Sequence, residues 1–194
     1  MSLLVYYVYL IIAWGIFRII FDLPEVVEEL WFKPVIWLVP LMVWNMAMGK
    51  KRVVFFEKKG LLLSLASGLM ISCVYWLIFN LSGGINFYNW NNLGIALSVA
   101  VVEELTFSGF IFGFLKKMSG ISPLKALLVT AGLASLSHAP FLLFEVSLSY
   151  LTILSSLLFV FGYSMINTSI RMVSGNVVGS IVARFILVFM AFGY

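Results

Sequence analysis

The feature that most constrains this chain is the stretch Ile95–Phe114, IALSVAVVEELTFSGFIFGF, where two adjacent carboxylates, Glu103 and Glu104, interrupt an otherwise apolar run. A segment of this length and character predicts a membrane-spanning helix. An ionised side chain at the bilayer centre costs roughly 2.5–3.5 kcal/mol on insertion scales, so two together predict a protein interior built to receive them. Neighbouring residues on a helix point about 100° apart. One carboxylate can therefore face a polar cavity while the other bonds a neighbouring helix. A carboxyl group so placed suits general-base chemistry. The alternative is a pair that anchors the bundle through backbone or basic partners.

The rest of the chain agrees with a membrane setting. It is 63% hydrophobic and 10% charged, against about 45–50% and about 25% in an ordinary soluble domain. The expected fold is an all-α polytopic transmembrane helix bundle, a single integral membrane domain over residues 1–194. Seven spans are predicted: Leu3–Phe21, Pro34–Met48, Gly60–Leu81, Asn92–Leu115, Lys125–Phe144, Val146–Ile170 and Val177–Phe192. There is room for an eighth, broken or re-entrant segment. Pro34 is expected to open the second span, a favoured position for proline. The first span lacks a basic leader and a small-residue cleavage site, so it is expected to be retained.

The basic residues set an orientation. Lys50, Lys51, Arg52, Lys58, Lys59, Lys116, Lys117, Lys125 and Arg171 fall in links on one side, and Lys33 alone falls on the other. That bias predicts a cytoplasmic N-terminus and an outward C-terminus, in a plasma membrane of bacterial type. The net charge of +4 is thus accounted for without nucleic acid. The lone Cys73 excludes a disulfide framework. No internal repeat stands out, which disfavours an inverted-repeat transporter.

Three further polar positions lie within predicted spans. His138, the only histidine, sits in LASLSHAPF two residues before Pro140; a neutral imidazole there could donate to an oxyanion, or simply pack. Arg184, in VVGSIVARFILVF, is either a partner for Glu103 or Glu104 or a cation reaching for the interface. Arg18 is expected to snorkel. Gly109 with Gly113, and Gly175 with Gly179, have the spacing that lets helices approach closely. Trp31, Trp37, Trp44 and Trp90 are expected in an interfacial belt. One histidine and one cysteine offer no dedicated metal site, and no cofactor is implied. One tension stands: Glu103 falls near mid-membrane and His138 nearer the outer face, an offset on the order of 8 Å at 1.5 Å per residue. A kink at Pro140 or a shifted boundary must close it.

These residues resemble the CAAX protease and bacteriocin-processing (CPBP, or Abi) family of intramembrane glutamic endopeptidases. That family shows Glu-Glu-x-x-x-Arg on one span, Phe-x-x-x-His on the next and His-x-x-x-Asn on a later one. Glu103-Glu104-Leu-Thr-Phe-Ser108 resembles the first motif, Ala134-Ser-Leu-Ser-His138 the second, and Ser174–Phe185 the segment leading into the third. The resemblance covers about residues 92–194, which would form the catalytic core helices. The departures are Ser108 for arginine, Ala134 for phenylalanine, Arg184 for the second histidine and Val188 for asparagine. The resemblance implies hydrolysis of a peptide or protein substrate by water activated at Glu103 or Glu104, with His138 holding the oxyanion and Arg184 as oxyanion or structural partner. Two other readings stay open: a catalytically inactive relative serving in binding, immunity or an accessory role, and a proton-linked carrier.

Overall fold

The computed structural model describes residues 3–21, 23–49, 52–81, 92–118, 120–144 and 149–191. About nine in ten of the described residues are helical, and no strand occurs among them. The helices are α1 (Leu3–Phe21), α2 (Glu25–Val27, Glu28–Phe32 and Lys33–Ala47 in unbroken succession), α3 (Lys58–Leu81), α4 (Leu93–Lys117), α5 (Pro123–Phe144), α6 (Tyr150–Ser174) and α7 (Val178–Ala191). Among the described residues, α3, α4 and α6 are long and apolar enough to cross a membrane, and α1 and α7 are shorter apolar helices. The fold is an all-α membrane helix bundle.

α4 is the axis of the bundle. In its most apolar stretch 83% of the residues are buried, against 22% in α3 and 33% in α6. A helix enclosed by protein on every side is apolar on every side. α1 and α2 cover one flank through Tyr6, Trp44 and Phe110, whose rings meet at 5.0–5.8 Å. α7 covers another, and α5 packs on α6. α3 crosses α7 at very short range. A Cβ on Gly179 would lie 1.9 Å from the Ser64 carbonyl oxygen, and one on Gly68 would lie 2.4 Å from that of Gly179. Only glycine fits such a crossing. Ser64 reinforces it, donating to the Asn176 carbonyl (2.9 Å) and accepting from the Gly179 amide (2.8 Å).

Several expectations change here. Helix α2 begins well before Pro34, at Glu25, and the stretch Glu28–Phe32 is wound as a π-helix. Proline inside a helix lacks an amide donor and its ring crowds the carbonyl four residues back. The predicted polar link of residues 22–33 is thus mostly the first turns of a helix. Gly109 and Gly113 do not receive another helix. A Cβ there would lie 2.8 Å from the Phe55 ring and 2.5 Å from Val53 Cγ1. The occupant is an extended strap, residues 52–57, read from sequence as a basic link. Asn45 binds both the amide and the carbonyl of Val53 (2.7 and 3.1 Å), and the Val177 amide donates to the Phe55 carbonyl (3.2 Å). Gly175, at φ 73°, caps α6 in the left-handed conformation. Trp37 and Trp44 are core residues and Trp31 alone of the described belt candidates is exposed; Trp90 lies outside the described residues.

Candidate active site

Glu103 and Glu104 are both buried near the middle of α4, immediately before a second π-wound stretch, Leu105–Ile111. Single π turns recur at functional sites. The two carboxylates diverge as adjacent helical positions must, and they meet different company.

Glu103 is surrounded by nitrogen. Lys33 Nζ donates to its Oε1 at 2.9 Å and Arg184 pairs with its Oε2. His138 Nε2 lies 3.9 Å from Oε1. Lys33 also binds Glu29 Oε2 at 2.7 Å, and its ammonium sits 5.8 and 5.4 Å from the ring centres of Trp14 and Trp37. The Arg184 guanidinium lies 3.9 Å from the centre of the Tyr163 ring. These cation–π contacts supplement the ion pairs where water is scarce. Arg184 does not reach for the interface.

Glu104 is surrounded by neutral donors. Ser108 donates to Oε2 at 2.5 Å and Asn167 to Oε1 at 2.9 Å. Tyr75 donates to Asn167 Oδ1 (3.3 Å), and the Ser108 and Thr168 hydroxyls lie 3.1 Å apart. Ser108, where the family motif has arginine, braces the second glutamate without adding charge.

Glu103 and His138 meet at 3.9 Å with no break at Pro140, since α5 runs unbroken through that residue.

The His138 tautomer follows from its neighbours. Nδ1 lies 3.0 Å from the Ala134 carbonyl, which can only accept. The Ser137 hydroxyl donates to that same carbonyl (2.7 Å), so it has no hydrogen for Nδ1. Nδ1 must carry the hydrogen, and the neutral ring presents a bare Nε2 toward Glu103. The expected oxyanion donor is thus an acceptor in its neutral state; donation from Nε2 requires the doubly protonated ring. Two acceptors side by side, Glu103 Oε1 and His138 Nε2, suit the two hydrogens of a single water. His138 is also the open edge of the site, its side chain 28% exposed against 7% for Glu103.

Residues 85–190 match the Rce1-like family, described as type II CAAX prenyl endopeptidases. The chain belongs to the Rce1-like family. The match covers more than half of the 194 residues and contains Glu103, Glu104, His138 and Arg184. This family is a protease family, and the apolar helices agree with its membrane setting. No curated protein and no solved structure matches the chain. Lys33 and Glu29 lie outside the matched region. The sequence placed Lys33 as a solitary cation in an outer link; the structure buries it against Glu103. Its signal was the spacing Glu29-x-x-x-Lys33, which puts the pair on one helical face. Arg18, expected to snorkel, instead pairs with Glu28 at 2.9 Å. Among the described residues no cluster of three His, Cys, Asp or Glu side chains could hold a metal ion.

Proposed function

We propose that this chain is an intramembrane endopeptidase that hydrolyses a peptide bond with water held between Glu103 and His138. The observation that carries the reading is the convergence of Glu103 Oε1 and His138 Nε2, from two helices, at 3.9 Å. Water donates one hydrogen to each. As its oxygen bonds to the substrate carbonyl carbon, a proton passes to Glu103. That proton then goes to the amine nitrogen as the C–N bond breaks. Glu104 serves as a brace, locked by Ser108 and Asn167.

The family description supplies the first substrate class to try: a peptide ending in Cys-a-a-X with its cysteine prenylated. Such a lipid chain would bring the substrate to the bilayer. The basic residues at the ends facing residues 49–59 and 116–125 favour a cytoplasmic N-terminus; the membrane we infer is a plasma membrane of bacterial type. Purified protein in lipid nanodiscs, given prenylated and unprenylated peptides, should cleave the former, and Glu103→Gln should abolish turnover. If wild type cleaves no member of a broad peptide panel, the reading fails.

A second reading draws on a specific observation. All four carboxylate oxygens of the glutamate pair already have partners: Lys33 and Arg184 on Glu103, Ser108 and Asn167 on Glu104. A non-catalytic bundle that uses the pair as cement would have that arrangement. It expects His138→Ala to leave cellular function intact, and Glu103→Gln to act through lost stability, because Lys33 and Arg184 would be left buried without their carboxylate.

A further inference from the structure

We propose that Lys33 is the positioning residue for Glu103, so that the N-terminal half of the chain completes a site whose motif residues all lie in the C-terminal half. This rests on the endopeptidase reading and deepens it. Burying an ammonium is costly unless it is paired and hydrogen-bonded. Lys33 is 5% exposed, and one carboxylate of its own helix does not account for its reach to α4. Its partners show what it serves. One is Glu29, a turn back on its own helix; the other is Glu103, on the axis of the bundle.

The choice of oxygen matters. Arg184 takes Oε2, whereas Lys33 takes Oε1, the oxygen that faces His138. Two cations on separate oxygens fix the plane of the carboxylate. Oε1 keeps a second lone pair, on an oxygen that lies 3.9 Å from Nε2. Without Lys33 the carboxylate is free to pivot about Arg184, and Oε1 is no longer aimed. Lys33 is itself held. Glu29 binds its ammonium, Trp14 and Trp37 flank it, and Ser98 of α4 donates to the Glu29 backbone carbonyl at 2.6 Å, tying that turn of α2 to α4. α4 offers no substitute, because Ser108 is neutral and committed to Glu104.

The test is steady-state kinetics of Lys33→Met, Lys33→Arg and the double variant Lys33→Met/Glu29→Gln, which removes both charges of the α2 pair and leaves Glu103 with Arg184. Misaimed catalytic groups cost about 100-fold, so the methionine variants should lose about that much in kcat with KM changed by less than about threefold. Lys33→Arg, which keeps a donor cation, should recover most of the loss. A folded double variant with wild-type kcat overturns the proposal and leaves the endopeptidase reading standing. Should wild type cleave nothing, that reading falls, and a thermal-unfolding cycle of Lys33→Met with Glu103→Gln decides for Lys33 alone. Coupling of about tenfold in the unfolding equilibrium or more supports it as the group that holds Glu103, and additivity overturns it.

Discussion

Two segments of this molecule share a local pattern and end in different chemistry. Glu28-Glu29-Leu-Trp-Phe-Lys33 on α2 and Glu103-Glu104-Leu-Thr-Phe-Ser108 on α4 both contain Glu-Glu-Leu-x-Phe, and both carry a π-wound stretch. In each, the first glutamate pairs with an arginine from another helix, Arg18 or Arg184. In each, the second glutamate binds the residue four positions on, Lys33 at 2.7 Å or Ser108 at 2.5 Å. The difference is the last residue. Lysine is long enough to satisfy its own helix and still reach Glu103, whereas serine binds Glu104 and adds no charge. The α2 copy thereby exports a cation and the α4 copy receives it. Setting differs as well: the Arg18 side chain is 28% exposed, while Arg184 is 6% exposed. The same ion pair is peripheral in one copy and central in the other.

The comparison can be broken in order of size. Isosteric Glu103→Gln should lower kcat by about 1,000-fold, the scale of a lost general base. Glu28→Gln should change it by less than about threefold. Equal losses would mean that the two copies are not functionally distinct. Arg184→Met leaves a buried carboxylate with one cation fewer and should cost about 3–5 kcal/mol in unfolding experiments. Arg18→Met, where the arginine is partly open to solvent but Glu28 stays buried, should cost less, about 1–3 kcal/mol. Reversal of that order would place the critical pair on α2. Ser108→Ala removes one of two neutral donors from Glu104 and should cost about 1–3 kcal/mol because the carboxylate stays buried. Its kcat should stay within about tenfold of wild type. A larger kinetic loss would show that Glu104 takes part in the chemistry rather than bracing it.

Much of the bundle was legible in the sequence because apolar runs of helix length are hard to conceal. α1 spans the residues expected of it, and the seven helices among the described residues follow in the expected order. That a buried carboxylate pair would seek Arg184 was also legible, since few other cations lie inside apolar runs. Lys33 was not. Hydropathy counts a cluster such as Glu25, Glu28, Glu29 and Lys33 as exposed, yet Glu28 pairs with Arg18 of α1 and Glu29 with Lys33. Once paired, part of the cluster can be buried. The strap of residues 52–57 was concealed in the same way. Its flanking lysines read as a cytoplasmic link, while Val53 and Phe55 fill the space left by Gly113 and Gly109. The role of His138 turned on the Ala134 carbonyl and the Ser137 hydroxyl, both within one turn of its own helix. The sequence contained both groups but not the rotamer that selects the tautomer.

The central claim is that Glu103 and His138 hold one water and deliver it to a peptide carbonyl. Single-turnover cleavage of a prenylated Cys-a-a-X peptide in heavy-oxygen water tests it most directly, with mass spectrometry of the newly formed carboxyl group. Wild type is expected to place one heavy oxygen in that carboxyl, and Glu103→Gln and His138→Ala to form no product on the same timescale. Labelled product at the wild-type rate from either variant would contradict the account.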